Sequence, residues 1–149
     1  AHSMFLVPEP DERLGILEMD AMDFVQDKGN FNHFDVLHID LYDATAKGPV
    51  LDTPEFYAAC KQCLVFNGMM TVNLFGDHPS YEKNLDAMRK TFAELVCLSP
   101  SKEGNVVVLA FRKKAELNID DLNTRAVQIM EKYGLDAKKW LKDLKNSLM

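Results

Sequence analysis

Two nearly continuous apolar runs with an amphipathic helix between them constrain this chain more than any other feature. The first is "FDVLHIDL", residues 34–41, and the second is "MMTVNLF", residues 69–75. Such runs suit strands buried on both faces, as in a parallel sheet covered by helices. Between them Thr53-Pro54-Glu55 marks a helix start, with Thr as N-cap, Pro at the first helical position and an acid in the first turn. Phe56, Ala59, Cys60, Cys63 and Leu64 follow at helical spacing, and Gly68 stands where a left-handed residue would end the helix. Strand, helix and strand in this order predict a parallel pair joined by a right-handed crossover.

The flanking segments extend the pattern. "LGILE", residues 14–18, reads as an earlier strand, and "MDAMDFVQDKG" as a short helix stopping near Gly29. Ser80 is placed to cap a helix to about Phe92, with Leu85, Met88 and Phe92 on one stripe. "ELVCLSP" and "NVVVLAFR", joined by "SKEG", read as an antiparallel pair. Asn118 with Asp120 and Asp121 starts a helix that Gly134 stops, and Asp136 opens a last helix packing Trp140, Leu144 and Leu148. The expected order is β-α-β-α-β-α-β-β-α-α. It predicts one α/β domain over residues 1–149, with 118–149 as a helical extension and a mostly parallel sheet ending in an antiparallel hairpin.

Charge and cysteine usage narrow the partners. The formal net charge of −6 argues against nucleic acid and leaves room for a cationic ligand. Lys138, Lys139, Lys142 and Lys145 interleave with Trp140 and Leu144, which reads as a solvated helix face. No apolar run is long enough to span a bilayer and the first residues carry no signal-peptide pattern, so no membrane partner is expected. Three cysteines, Cys60, Cys63 and Cys97, fit a reducing, cytoplasmic setting better than a disulfide framework.

In open α/β sheets, ligands sit beyond the carboxyl ends of the strands. Acids stand at two such ends, Asp20 and the pair Asp40 and Asp43. Asp20 can cap the helix after it, and can also accept a hydrogen bond from a ligand's exocyclic amine while small Ala21 leaves space for a ring. Two neighbouring carboxylates repel unless water, a metal or a cation neutralises them. Asp40 and Asp43 therefore read either as strand-end turn residues or as a cation-binding pair. No spaced histidine completes a metal site, and His38 reads as a packed side chain. Cys60-Lys-Gln-Cys63 falls inside the helix with no second pair to complete a zinc site, so both thiols read as core. His78-Pro79, after the second long run, is a loop able to rim the same crevice.

The ordered set of motifs resembles the spermidine synthase (polyamine aminopropyltransferase) family. Asp40-Leu-Tyr-Asp43 stands for that family's D-x-x-D at a strand end, Gly48-Pro49 for its Gly-Pro, Phe56-Tyr57 for its helix start and "GMMTVNLF" for its next strand. "LEMDAMDFV" is similar to the family's adenine-binding turn, and the likeness spans residues 14–112. The resemblance implies a Rossmann-like sheet of the S-adenosylmethionine-dependent methyltransferase type. It implies decarboxylated S-adenosylmethionine as a co-substrate, no tightly bound cofactor, and putrescine or another small amine as acceptor. It assigns Asp20 and Ala21 to the donor's adenine, Asp40 to catalysis, and Asp43 with Tyr42 to the amine. The chemistry suits these residues. An alkylamine with a pKa of about 10 is protonated at neutral pH and attacks only once neutral; a carboxylate can hold it and accept its proton, with positioning and charge stabilisation supplying the larger part.

The pattern departs from the family in places. Leu41 and Tyr42 replace the usual serines, Ala44 replaces the usual Pro, and the sequence contains no glycine-rich donor loop. The chain is expected to start between the family's second and third strands, without its N-terminal β-rich domain, and to be inactive in this form. An apolar sheet edge should then be exposed. Either residues 14–18 move over to pair with residues 34–41, or two chains join edge to edge as a homodimer. A methyltransferase using S-adenosylmethionine, or a non-catalytic oligomerisation or interaction domain, stays open as an alternative.

Overall fold

The computed structural model of the chain describes residues 8–41 and 52–147. The elements are α1 (Ala21–Gln26), a 3-10 turn (Lys28–Asn30), β1 (Phe34–Ile39), α2 (Pro54–Cys63), β2 (Leu64–Phe75), α3 (Tyr81–Thr91), β3 (Glu94–Cys97), β4 (Asn105–Phe111), α4 (Ile119–Tyr133) and α5 (Ala137–Ser147). The four strands form one sheet in the order β1-β2-β4-β3. β1 and β2 pair in parallel, and β4 runs antiparallel to both β2 and β3. Hence β1, β2 and β3 share one direction and only β4 opposes them, a Rossmann-like sheet closed by an antiparallel hairpin.

One face of this sheet carries the core. Met70, Val72 and Leu74 of β2 alternate inward with Val106, Val108 and Ala110 of β4. They meet Phe56, Tyr57, Cys60 and Cys63 of α2, and Leu85 and Met88 of α3. α2 begins as expected, with Pro54 in the first turn and Thr53 Oγ1 accepting from the Phe56 amide at 3.2 Å. A fully buried polar pair ties the two helices together. The Tyr57 hydroxyl donates to Asn84 Oδ1 at 2.5 Å, and Asn84 Nδ2 donates to the Ser80 carbonyl at 2.8 Å. On the opposite face α4 and α5 pack on each other through Ala126, Ala137 and Leu141, and α5 touches β3. α4 stops at Gly134, whose φ of 67° is the left-handed cap that glycine adopts without strain.

Several expectations are corrected. Residues 14–18 form no strand, and they do not pair with β1. Asp11 draws Leu14 into a turn instead, its Oδ1 accepting from the Arg13 and Leu14 amides at 2.8 Å each. Leu17 is left 72% exposed, so this segment buries too little apolar surface to hold a ladder. β1 is not buried on both faces, because it is an edge strand and Val36 is 40% exposed. His38 is correspondingly exposed and not packed in the core, and its Nδ1 meets Thr71 Oγ1 at 2.7 Å. Trp140 is half exposed, whereas Leu144 does pack; Leu148 lies outside the described residues.

α2 ends at Cys63, not at Gly68, since Leu64 already turns extended to pair with Phe34. Gly68 has a different task. The β1–β2 register shifts between Phe34 and Val36, and a Cβ at Gly68 would lie 3.0 Å from the carbonyls of both Phe34 and Val65. Only glycine lets the two backbones approach this closely. Ser80 is no side-chain cap: its Oγ meets His78 Nδ1 at 2.8 Å while its own backbone is already helical.

The two thiols of α2 are core groups, as their position in the helix predicts. Cys60 and Cys63 are fully buried, and Cys63 Sγ donates to the Val25 carbonyl at 3.3 Å. Burial, reinforced by Cys63 beside it, pushes the Cys60 thiol up to about 12. In the unfolded chain the same thiol ionises near 9.0. Above that pH the unfolded state loses a proton that the folded state keeps, so stability falls as pH rises from about 9 toward about 12. Urea midpoints along a pH series should show this fall, and Cys60→Ala should make it shallower, with buried Cys63 and Tyr57 supplying the rest.

Candidate functional site

The site forms where α1 faces the edge of the sheet. Asp20 caps α1: its Oδ1 accepts from the Met22 amide at 2.7 Å and the Asp23 amide at 3.2 Å. That places small Ala21 at the first turn of α1, on the wall of a cavity of about 720 Å³. Phe24 and Val25 of α1, Phe56 of α2, and Leu37 and Ile39 of β1 supply an apolar lining. Met19 and Leu17 approach from the irregular segment before α1.

Asp40 brings the charge. It follows the last residue of β1, at the carboxyl end of the strand, and lines the same cavity. β2 runs beside β1 in register, Ile39 opposite Val72, so Asn73 comes next to Asp40 and donates to its Oδ1 from Nδ2 at 3.3 Å. The residue is exposed, and among the described residues its second oxygen has no hydrogen-bond partner. The cavity thus joins an apolar slot, a helix start and one carboxylate. That combination suits a flat or aliphatic group held by contact and a polar or cationic group held by Asp40.

The site residues named from the sequence fare differently. Ala21 and Asp40 come together in one cavity. Asp20 is beside it but does not line it; both of its cap bonds fall on one oxygen. Tyr42 and Asp43 lie outside the described residues, as do Gly48 and Pro49. The His78-Pro79 loop folds on itself, with the His78 amide donating to the Phe75 carbonyl at 3.1 Å, and does not line the cavity. Asn73 was missed. Its signal was a polar residue near the end of an otherwise apolar strand, in the strand expected to lie beside Asp40.

The sheet order, the single opposed strand and the acid at a parallel strand's carboxyl end define a Rossmann-like fold of the methyltransferase type. Solved structures agree on the fold. A probable spermidine synthase from Corynebacterium glutamicum superposes with a TM-score of 0.64 at 17% identity, over 95% of this chain and 56% of that one. A spermidine synthase in complex with the transition state analogue AdoDATO gives 0.62 at 23% identity, over 76% and 42%. Sequence relatives are more particular. The chain is 29% identical over 150 residues to a polyamine aminopropyltransferase of Neisseria meningitidis serogroup A, covering 99% of this chain and 56% of that protein. A polyamine aminopropyltransferase of Chromobacterium violaceum is 26% identical over 149 residues with the same coverages. No family model matches. The chain is similar in sequence to these polyamine aminopropyltransferases, and it spans about half the length of the curated relatives it matches.

Proposed function

We propose that this chain carries the acceptor side of an aminopropyltransferase site, in which decarboxylated S-adenosylmethionine passes its aminopropyl group to putrescine or a similar amine. The observation that carries the reading is Asp40, set by β1 and Asn73 at the mouth of a cavity that Ala21 also lines. The acceptor nitrogen attacks the carbon beside the sulfonium, the carbon–sulfur bond breaks, and the thioether leaves with the bonding electrons. Asp40 holds the amine in line and accepts the proton it sheds; alignment of this kind supplies much of the acceleration. Tyr42 and Asp43 would engage the amine, and Asp20 and Ala21 the donor's adenine. A cytoplasmic location accords with this reading and with three free cysteines.

The 149 residues contain no G-x-G loop to cradle the donor. This stretch alone is therefore proposed to bind the amine without completing the transfer. Calorimetry tests the reading with putrescine, decarboxylated S-adenosylmethionine and S-adenosylmethionine in turn. Putrescine binding that Asp40→Asn abolishes supports it. Preference for S-adenosylmethionine favours the methyltransferase alternative, and no binding of any of the three removes the acceptor reading.

One observation favours an oligomer. β1 is an edge strand, and no strand pairs with its outer side among the described residues. Such an edge is a template for another strand. We propose that a second copy of the chain meets it there. Sedimentation equilibrium should report a dimer; a monomer across the accessible concentration range would refute the contact.

A further inference from the structure

Three of the four lysines of α5 meet over a cleft between α4 and α5. Lys138, Lys142 and Lys145 are spaced four and three residues apart, which sets them on one stripe of the helix. With Asn123 and Val127 of α4 and the buried Leu141 they line a cavity of about 330 Å³. Lys139 is exposed on the same helix and is not part of it. The cleft shares no lining residue with the Asp40 cavity.

Its polar groups are nearly all donors. None of the six lining residues is acidic, and among the described residues none of the three lysines forms an ion pair. Like charges three and four residues apart destabilise a helix, so an anion seated among them would relieve a repulsion as well as gain contacts. Lys145 is the clearest case. It is half-buried, and the partner its ammonium meets at 3.3 Å is Asn123 Oδ1, a neutral carbonyl. That bond occupies the acceptor of Asn123 and leaves the two N–H groups of its amide as donors. Val127 and Leu141 add apolar contact.

We infer that this cleft binds a phosphate-bearing anion carrying two or more charges. Lysine ammonium groups act as point charges for phosphate oxygens, and the Asn123 amide adds a directed donor. A single carboxylate brings one charge against three ammonium groups, whereas a diphosphate matches them. No bond is made or broken, and the site is independent of the transfer reaction proposed above. Soluble phosphate esters and lipid headgroups share this chemistry, and the test separates them. Calorimetry at low ionic strength measures inorganic pyrophosphate, with acetate as the singly charged comparison. Pyrophosphate should bind saturably and about tenfold or more tightly than acetate, and should weaken as salt rises. Lys142→Gln should weaken pyrophosphate by about tenfold. Lys139→Gln removes the same charge from the same helix outside the cleft and should change binding by less than about twofold. Circular dichroism confirms that both variants are folded. The Asn123 side-chain amide signals of isotope-labelled protein should move with the calorimetric midpoint, a readout that needs no substitution. Capture on vesicles of phosphatidylcholine with phosphatidylglycerol, reversed by pyrophosphate, would support the site with a lipid headgroup as its ligand; pyrophosphate binding without vesicle capture would support it with a soluble one. No saturable binding of pyrophosphate, unmoved Asn123 signals, or equal losses in Lys139→Gln and Lys142→Gln would each overturn the inference.

Discussion

Asn84→Ala is expected to lower folding stability by about 3 kcal/mol, one of the largest losses available to a single substitution in this chain. Asn84 is fully buried between α2 and α3 and is the one buried polar residue of the core among the described residues. Truncation leaves a void and also strands the Tyr57 hydroxyl, which is itself completely buried and donates to Asn84 at 2.5 Å. A stranded buried donor costs about 1–3 kcal/mol because it has given up water and gained nothing. Tyr57→Phe removes the donor but not the ring, so it should cost about half as much. If the two side chains act as a unit, the double variant Tyr57→Phe/Asn84→Ala should be less destabilised than the sum of the singles by about 1 kcal/mol. Urea unfolding of the four proteins measures this; additive losses would show that the hydroxyl finds another partner.

The second large effect concerns Asp40. If the aminopropyl transfer proposed above is right, Asp40→Asn in a protein that carries it out with this stretch should reduce transfer by about 10² to 10⁴-fold with the fold unchanged, the range that loss of a positioned proton acceptor covers. The substitution keeps the shape and a carbonyl oxygen for Asn73, so the loss would reflect charge and basicity. Asn73→Ala should act more mildly, since it frees the Asp40 carboxylate to rotate without removing it. An Asp40→Asn enzyme with undiminished kcat would take the proton transfer away from this residue.

Local chemistry explains how much of this was legible. The Thr53-Pro54 start of α2, the Asn118 cap, the Gly134 stop and the β3–β4 hairpin all rest on signals a few residues long, and all four stand in the structure. The misreadings share one cause, competition for partners distant in sequence. Gly68 is a helix stop in isolation, but the register of β2 against β1 and β4 claims residues from Leu64 onward for the sheet. "LGILE" has strand composition, yet Asp11 draws its first residue, Leu14, into a turn. His38 has strand neighbours but lies on a sheet edge, where no core covers it.

By itself the sequence determined the α/β order from α1 onward, the helix starts, the burial of Cys60 and Cys63 in α2, and the acid at the end of β1. These follow from caps, periodicity and side-chain chemistry, which act over one or two turns. Only the tertiary structure decided that Ala21 and Asp40 share a cavity, that Asn73 holds Asp40, and that Tyr57 needs Asn84. Each of these depends on register and on which faces meet, and pairing across a sheet or between helices is set by the whole packed arrangement rather than by neighbours along the chain.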